Sequence, residues 1–200
     1  MDKFTSDLER TIADSDIHPL HAALPLIAQK KQPRAYLEIG VRDGKSLALV
    51  WAAARQCLNT IVVCDTWGSS YGGTNHLNHL HIAAMAEREG FANIITYLDG
   101  NSRVLIPALK QQKKFDLITI DGDHSYEGCY ADLENCLPLL TYQGFIVVDD
   151  ITHPAHTYLT QCVKDFAADT KAVLFFINHI ALLSRPADPR LITKDLGEIP

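Results

Sequence analysis

The segment ITIDGDHSYEG, residues 118–128, predicts a buried β-strand that ends in an acidic turn. Its opening run is apolar or β-branched, which is typical of strands inside a sheet. Asp121 ends this run, and Asp123 and His124 follow it without apolar cover. The rest of the sequence must indicate which fold places two carboxylates and an imidazole at the end of a buried strand.

Short β-branched runs alternate with longer helix-compatible segments along the chain. The predicted strands are residues 35–40, 60–65, 94–98, 115–121, 144–150, 173–177 and 180–185. The predicted helices are residues 46–58, 80–90, 104–112 and 128–140, with one or two more in the first 30 residues. Gly90 and Gly144 are expected to end helices, and Pro19 and Pro25 to interrupt them. Continuous apolar strands between helices indicate a parallel sheet covered on both faces.

The last two predicted strands are separated only by Asn178 and His179. So short a link permits a hairpin but not a parallel crossover. We therefore predict an α/β fold that is Rossmann-like and doubly wound. It has a mostly parallel seven-stranded sheet, a C-terminal antiparallel strand and helices on both faces. The strand order should reverse near strands one and four, and ligands should bind at the carboxyl ends of the strands.

Composition is that of a single globular domain. The chain has 200 residues, of which 47% are apolar and 21% charged, and this length suits one core. We expect a helical segment at 1–33, the Rossmann-like core at 34–186 and a tail at 187–200. The net charge of −6 offers no basic surface for a phosphate backbone, so nucleic acid is not an expected partner.

The sequence also predicts a cytoplasmic protein that does not bind membranes. No apolar run approaches the roughly 20 residues of a membrane helix. The opening MDKFTSDLER lacks the apolar core of a secretory signal. Five cysteines without a CxxC pair suit a reducing compartment better than a disulfide framework.

Polar residues follow the first three strands where a nucleotide-like ligand would bind. Gly40 and Gly44 bracket a tight turn that lets backbone N–H groups approach an anion, although a plain strand-to-helix turn would look the same. Asp65 ends the second strand about 20 residues later, which suits either ribose hydroxyls or solvent. After the third strand, Asn101 and Ser102 predict either a helix cap or the edge of an adenine pocket.

Acids at the ends of strands four and five predict a metal site. If the two strands are neighbours, Asp121, Asp149 and Asp150 converge at one edge, and such close like charges need a cation to stay ionised. Oxygen ligands without a nearby cysteine suit a hard ion such as Mg²⁺. His124 would stand beside the ion as a general base. The alternative is that these residues are only polar strand ends.

Five motifs in this order resemble a class I S-adenosylmethionine-dependent methyltransferase. They are LEIGVRDGKS, the strand-two Asp65, DGNS, IDGDHSYEG and GFIVVDD. The resemblance covers roughly residues 35–185. More narrowly, the motifs resemble metal-dependent small-molecule O-methyltransferases, in the branch of macrocin-type sugar O-methyltransferases and cephalosporin-hydroxylase-like proteins. Catechol O-methyltransferase is a more distant likeness.

The resemblance implies a role for each matched residue. The implied cofactor-binding residues are Glu38, Gly40, Gly44, Ser46, Asp65, Thr66, Trp67, Gly100, Ser102 and Asp121. Those of the glycine turn would hold the methionine part of S-adenosylmethionine, Asp65 the ribose and Ser102 the adenine. The implied ligands of Mg²⁺ or another divalent cation are Asp121, Asp149 and Asp150.

His124 falls where catechol-type enzymes place a lysine base and the sugar-modifying branch places a histidine. The resemblance therefore implies His124 as the catalytic base and favours a sugar-like or hydroxylated natural-product acceptor. It also implies a homodimer. The expected activity is Mg²⁺-assisted methyl transfer to a hydroxyl of a small polyhydroxylated acceptor.

Two other functions stay open at this stage. One is an NAD-dependent oxidoreductase on a Rossmann sheet, although Arg42 occupies the second glycine position of the GxGxxG fingerprint. The other is a non-catalytic S-adenosylmethionine-binding protein.

Three groups of histidines lie outside these motifs. They are His76, His79 and His81; His153 and His156; and His18 and His21. The first group lacks the cysteine or acid spacing of structural zinc, so it predicts a solvated or substrate-contacting loop. The second predicts a loop and helix start within reach of substrate or of the metal's outer coordination sphere. The third flanks an N-terminal helix and has no predicted role.

Overall fold

A seven-stranded sheet with helices on both faces forms the centre of the computed structural model, which describes residues 3–68, 78–109 and 114–186. The strands are β1 (Ala35–Ile39), β2 (Thr60–Asp65), β3 (Ile95–Asp99), β4 (Phe115–Ile120), β5 (Leu140–Val148), β6 (Val173–Ile177) and β7 (Ile180–Ser184). The described helices are α1 (Lys3–Ala13), α2 (Pro19–Lys31), α3 (Lys45–Ala54), α4 (Leu80–Glu89), α5 (Ser102–Leu105), α6 (Tyr126–Cys136) and α7 (Leu159–Thr170).

The strand order is β3-β2-β1-β4-β5-β7-β6. Strands β1 to β5 pair in parallel, whereas β7 lies antiparallel between β5 and β6. The order reverses between β1 and β4, so the crevice that binds ligands in such sheets lies beyond the carboxyl ends of these two strands. The predicted fold class is confirmed.

Alternate residues of the central strands face two separate apolar cores. Tyr36 and Leu117 belong to the core under α1 to α4, and Leu37 and Ile118 belong to the core under α6 and α7. This alternation follows from the two-residue period of a strand. Burial on both faces explains why these strands are apolar without interruption.

The second helix contains both prolines that were expected to interrupt the N-terminal segment. Pro19 is its first residue, where a missing N–H is tolerated, but Pro25 lies inside the helix. That expectation was therefore wrong for Pro25. An internal proline costs about 3 kcal/mol, and burial of side chains such as Leu24 and Ile27 offsets it, since each contributes about 1.5–3 kcal/mol.

Gly144 does not end a helix, contrary to prediction, whereas Gly90 does, with the left-handed φ of 82° that glycine permits. The sixth helix ends earlier, at Cys136, and a 3₁₀ turn (Leu137–Leu139) leads directly into β5. Gly144 lies inside β5 where the register to β4 shifts. A strand glycine typically marks such an irregularity.

The other helices are shorter than predicted. Helix α3 ends at Ala54, and α5 is one turn that continues as a 3₁₀ turn (Ile106–Leu109). The remainder of the predicted 104–112 helix, residues 110–112, lies outside the described residues. In the described part of the chain, no helix is long and apolar enough to span a membrane.

Candidate active site

A cavity of about 830 Å³ opens at the carboxyl edge of the sheet. This volume is within the range of small-molecule and cofactor sites. The predicted site residues line it, with the exception of Glu38 and Gly44, which lie behind its wall. The edge therefore gathers motifs that are distant in sequence, as the parallel sheet requires.

Gly40 allows the ends of β1 and β4 to approach each other closely. Its φ is +81°, and a Cβ atom there would lie 1.9 Å from the carbonyl oxygen of Asp121. Gly44, with φ +74°, precedes α3 as its N-cap. Arg42, between them, also has a left-handed φ of 51°, which is uncommon for a residue with a side chain.

Asp65 organises this turn as well as facing the cavity. Its Oδ2 accepts hydrogen bonds from the backbone N–H groups of Val41 (2.7 Å) and Arg42 (2.9 Å). Its Oδ1 accepts one from the N–H of Trp67 (2.7 Å). A carboxylate can accept about four hydrogen bonds, so Oδ1 retains capacity for a ribose hydroxyl. The turn-holding role of Asp65 was not anticipated from the sequence.

Glu38 is fully buried beneath the same turn. Its Oε1 accepts a short hydrogen bond from the Ser46 hydroxyl, and its Oε2 accepts one from the Tyr36 hydroxyl (3.1 Å). Burial raises the pKa of Glu38 to about 8. Glu38 therefore acts on the cavity through Ser46, which it orients from below.

Asn101 and Ser102 have different partners. The side chain of Asn101 caps α5 by accepting from the N–H of Arg103 (2.9 Å). Ser102 Oγ donates instead to Oδ1 of the fully buried Asp132 on α6 (2.6 Å). Burial raises the pKa of Asp132 to about 6. Sequence reasoning missed Asp132, although an acid on an otherwise apolar helix face (between Cys129 and Leu133) could have indicated it.

Two of the three predicted metal-binding acids, Asp121 and Asp150, lie beside His124, and the third, Asp149, directly precedes Asp150. His124 Nε2 is 3.3 Å from Asp121 Oδ1 and 3.4 Å from Asp150 Oδ2. Hydrogen bonds to Asp121 and Asp150 raise the pKa of His124 to about 10. Without a cation, His124 is therefore an imidazolium at neutral pH.

Asp149 is the most buried of these acids, with 4% of its surface exposed. Its Oδ1 has no hydrogen-bond partner among the described residues. Burial and the negative charge of Asp121 raise the pKa of Asp149 to about 7. An unsatisfied buried carboxylate oxygen is unfavourable, and a bound cation would relieve it.

Two further histidines reach this cluster. His18, just before α2, has Nδ1 3.6 Å from Asp149 Oδ2 and Nε2 3.6 Å from Asp150 Oδ1. His156 stacks on His124 with ring centroids 4.5 Å apart. Sequence reasoning gave His18 no role, because its contact with residues 149 and 150 depends on how α2 packs.

A family comparison agrees with this geometry. Residues 37–151, more than half of the chain, match the family model described as a methyltransferase domain. The chain belongs to the methyltransferase-domain family. The predicted family and enzyme class, an S-adenosylmethionine-dependent methyltransferase, are thereby confirmed.

Solved structures share the fold of this methyltransferase at low sequence identity. The O-methyltransferase TomG of Streptomyces achromogenes, in complex with S-adenosylmethionine, is 18% identical over 94% of this chain and 91% of its own, with a TM-score of 0.62. CalS11, the TDP-rhamnose 3′-O-methyltransferase of calicheamicin biosynthesis, is 21% identical over 93% and 94%, with a TM-score of 0.60. The Bacillus cereus O-methyltransferase in complex with S-adenosylhomocysteine is 17% identical over 92% of each chain, with a TM-score of 0.59. No curated protein sequence matches the chain significantly.

Two histidines of the group predicted to lie in a loop contact residues near the cavity; His79 is the N-cap of α4, and His81 lies inside that helix, contrary to prediction. His79 Nδ1 lies 2.6 Å from Asp99 Oδ2, and its ring stacks on Tyr97 at 4.2 Å. His81 Nε2 donates to the carbonyl of Arg42 (2.7 Å). Both rings therefore brace the strand ends, while His76 lies outside the described residues.

Proposed function

We propose that this methyltransferase transfers a methyl group from S-adenosylmethionine to a hydroxyl oxygen of a small polyhydroxylated acceptor, such as a sugar or a hydroxylated natural product. The observation that carries the proposal is the cavity itself. The glycine turn and the cluster of carboxylates and imidazoles line the same cavity. A donor and an acceptor could thus be held side by side, so positioning would supply much of the acceleration.

The wall of the cavity fits the cofactor. The glycine turn would bind its methionine end, with Ser46 near the carboxylate, and Oδ1 of Asp65 would bind its ribose and Gly100–Ser102 its adenine. The cavity volume suits a ligand of this size. TomG and the Bacillus cereus enzyme are described with S-adenosylmethionine and S-adenosylhomocysteine, which supports this choice.

The acid cluster fits a divalent cation. Asp121, Asp149 and Asp150 would hold it, because the buried Oδ1 of Asp149 lacks a protein partner in the described chain. When bound, the cofactor supplies an electrophilic methyl group, and the cation supplies a Lewis acid that lowers the pKa of an acceptor hydroxyl.

His124 would take the acceptor proton at Nε2. Its hydrogen bonds to Asp121 and Asp150 keep it protonated while those carboxylates carry full negative charge. His124 can accept a proton only when a cation shares the carboxylates, since that removes the charge that raises its pKa. Proton transfer to His124 would therefore depend on a bound cation.

Calorimetry with S-adenosylhomocysteine tests the cofactor. We expect micromolar binding, about −8 kcal/mol, and no binding of NADH. Binding of NADH alone would instead favour an oxidoreductase. Methylation should then be measured on a panel of sugars and hydroxylated aromatics with and without a divalent cation. Binding of S-adenosylhomocysteine without methylation of any acceptor would favour a non-catalytic binding protein.

A further inference from the structure

The N-terminal helical segment contributes a side chain to the acid cluster. The imidazole of His18 lies between two carboxylates, with its two nitrogens each 3.6 Å from an oxygen of Asp149 or Asp150. These separations are longer than hydrogen bonds. One donor atom from each of the three residues nevertheless lies within 4.8 Å of the others, so a single ion could be shared by all three.

The buried acid supplies a second and independent observation. Asp149 lines the cavity, is 4% exposed and has an Oδ1 with no partner in the described part of the chain. A carboxylate oxygen left in this state would be stabilised by a cation. Asp149 therefore has an unpartnered oxygen, Oδ1, on the same carboxylate whose Oδ2 is the atom that His18 faces.

His18 is held in place by the fold. It is the N-cap of α2, and Pro19 begins the helix directly after it. Leu20 and Leu24 of that helix are fully buried in the core that also contains α3 residues. The backbone of His18 is therefore fixed relative to the sheet, while its side chain, 43% exposed, faces the cavity.

The donor set is chemically mixed. On the other side of Asp150, His124 and His156 form a second group with it whose donor atoms also lie within 4.8 Å of one another. Imidazole nitrogen suits borderline transition metals, whereas Mg²⁺ prefers oxygen ligands and retains its waters. Carboxylates alone would favour Mg²⁺, but carboxylates next to imidazoles would not.

We propose that His18 is a metal ligand together with Asp149 and Asp150, and that this mixed site takes a borderline divalent ion such as Mn²⁺, Co²⁺ or Zn²⁺ in preference to Mg²⁺. The inference rests on the cation site of the proposed function. It extends that site beyond the oxygen-only set that the sequence indicates. It also gives the N-terminal segment a direct part in the chemistry.

Metal binding to the full-length, chelator-treated protein tests the proposal without any turnover assay. Co²⁺ is the probe, because its visible absorption changes when imidazole coordinates it, and Mg²⁺ is the competitor in calorimetry. We expect Co²⁺ to bind on the order of tenfold or more tighter than Mg²⁺. His18→Ala should weaken Co²⁺ binding about 10-fold or more and remove part of the visible spectrum.

Two variants separate ligation from folding. His18→Asp replaces nitrogen by oxygen, so it should restore cation binding while shifting the preference towards Mg²⁺. His179→Ala removes a histidine from the β6–β7 hairpin, where its ring contacts Thr152, and should bind Co²⁺ as the wild type does. Circular dichroism of each variant reports whether the fold is retained.

Equal Co²⁺ affinity and spectra for the wild type and His18→Ala would overturn the proposal, as would Mg²⁺ binding as tightly as Co²⁺. The outcome is separable from that of the proposed function. Failure to bind S-adenosylhomocysteine or to methylate any acceptor would remove the methyltransferase activity but leave the Co²⁺ result intact. Loss of the His18 effect alone would not contradict the proposed methyltransferase activity.

Discussion

At the scale of single residues, Asp150 is the carboxylate that lies between the two groups of histidines in the site. His18 is on one side, and the stacked pair His124 and His156 is on the other. Asp150 Oδ1 faces His18 and Asp150 Oδ2 faces His124. The hydrogen bond from His124 and the nearby imidazole of His18 hold the pKa of Asp150 well below its usual range. Its backbone φ of 55° is strained for a residue with a side chain. Asp150 is therefore ionised at neutral pH and would offer a charged ligand to the proposed cation.

Replacing His124 tests its role as the base. We expect His124→Ala to lower kcat about 10²-fold or more, because the variant lacks the imidazole nitrogen that would accept the proton of the acceptor hydroxyl. S-adenosylhomocysteine binding should stay within about twofold. The measurement is kcat with saturating cation and acceptor. His153→Ala, on the same rim, should retain most of the activity, and near wild-type kcat in His124→Ala would exclude the base role.

Replacing Asp149 should have opposite effects on stability and on cation binding. The pKa of Asp149 is raised to about 7, so at pH 8.5 and without metal its buried carboxyl group is ionised in the wild type. Asp149→Asn should therefore raise the metal-free free energy of unfolding by about 1–3 kcal/mol, as measured by urea denaturation, while weakening cation binding.

Asp123→Asn is the matched control for this stability effect. Although burial opposes it, hydrogen bonds from Ser125 and the positive charge of Arg103 lower the pKa of Asp123, so removing the carboxylate charge should lower the free energy of unfolding rather than raise it. A destabilised Asp149→Asn would show that the buried carboxylate is already satisfied in the metal-free protein.

At the scale of elements, the turn between β1 and α3 depends on what lies on both sides of it. Asp65 holds its N–H groups from β2, Glu38 holds Ser46 from below, and Gly40 contacts the end of β4. The turn is thus formed by three strands rather than by its own sequence. Its geometry should change when any one of these contacts is removed.

The contact of Gly40 with β4 predicts a large effect of one methyl group. Gly40→Ala would place Cβ 1.9 Å from a backbone oxygen, so we expect a loss of about 3 kcal/mol or more in the free energy of unfolding. Gly90→Ala has nearly the same φ, +82°, but no described atom within 4 Å of the added Cβ, and should cost about 1–2 kcal/mol. Equal losses in urea denaturation would contradict the packing argument.

Glu38 should make stability depend on pH. Its pKa is higher in the folded protein, about 8, than the ordinary value of 4.5, so the folded state holds the extra proton. Its contribution is fully present below about pH 4.5 and is lost as the pH rises through about 8. Between pH 5 and pH 9, the free energy of unfolding of the wild type should therefore fall by a few kcal/mol more than that of Glu38→Gln. Parallel curves for the two proteins would mean that Glu38 is already ionised when folded.

At the scale of the whole molecule, a cation bound by His18, Asp149 and Asp150 would join the first helices to the last parallel strand. A ligand present at 100 times its Kd adds about 2.7 kcal/mol to the free energy of unfolding. We expect Co²⁺ at that excess to raise the stability of the wild type by this amount and to slow amide exchange in α2. With a Kd about tenfold weaker, His18→Ala should gain only about 1.4 kcal/mol at the same Co²⁺ concentration and show less slowing of exchange in α2. Unchanged exchange in the wild type would contradict the link.

The fold was predictable because strands that are buried on both faces have a recognisable apolar sequence. The run 61–64 is apolar throughout and 115–120 is mostly apolar, and the Asn178–His179 link fixes the final hairpin. The end of α6 was not predictable, because a 3₁₀ turn and an early start of β5 shift Gly144 into a strand. The start of β5 depends on its pairing with β4, and the local sequence does not specify that pairing.

The candidate site was predictable where motifs sit at strand ends, since parallel strands bring such ends together. His18 was missed because only tertiary packing brings it next to Asp149, which is more than 100 residues away in the sequence. The positions of Glu38 and Asp132 were also hidden, because a sequence does not say which acids lie behind a cavity wall. The predicted homodimer and the acceptor stay predictions.

The position of β7 has a consequence for how the enzyme matures during synthesis. It pairs with residues 146–148 of β5, immediately before the two acids at the end of β5, yet among the described strands it is translated last. A chain still on the ribosome and lacking residues 180–184 would leave this side of β5 as an open edge. The two acids would then be held only from the side of β4, so we expect the proposed cation site to reach its full affinity only after the final strand has inserted.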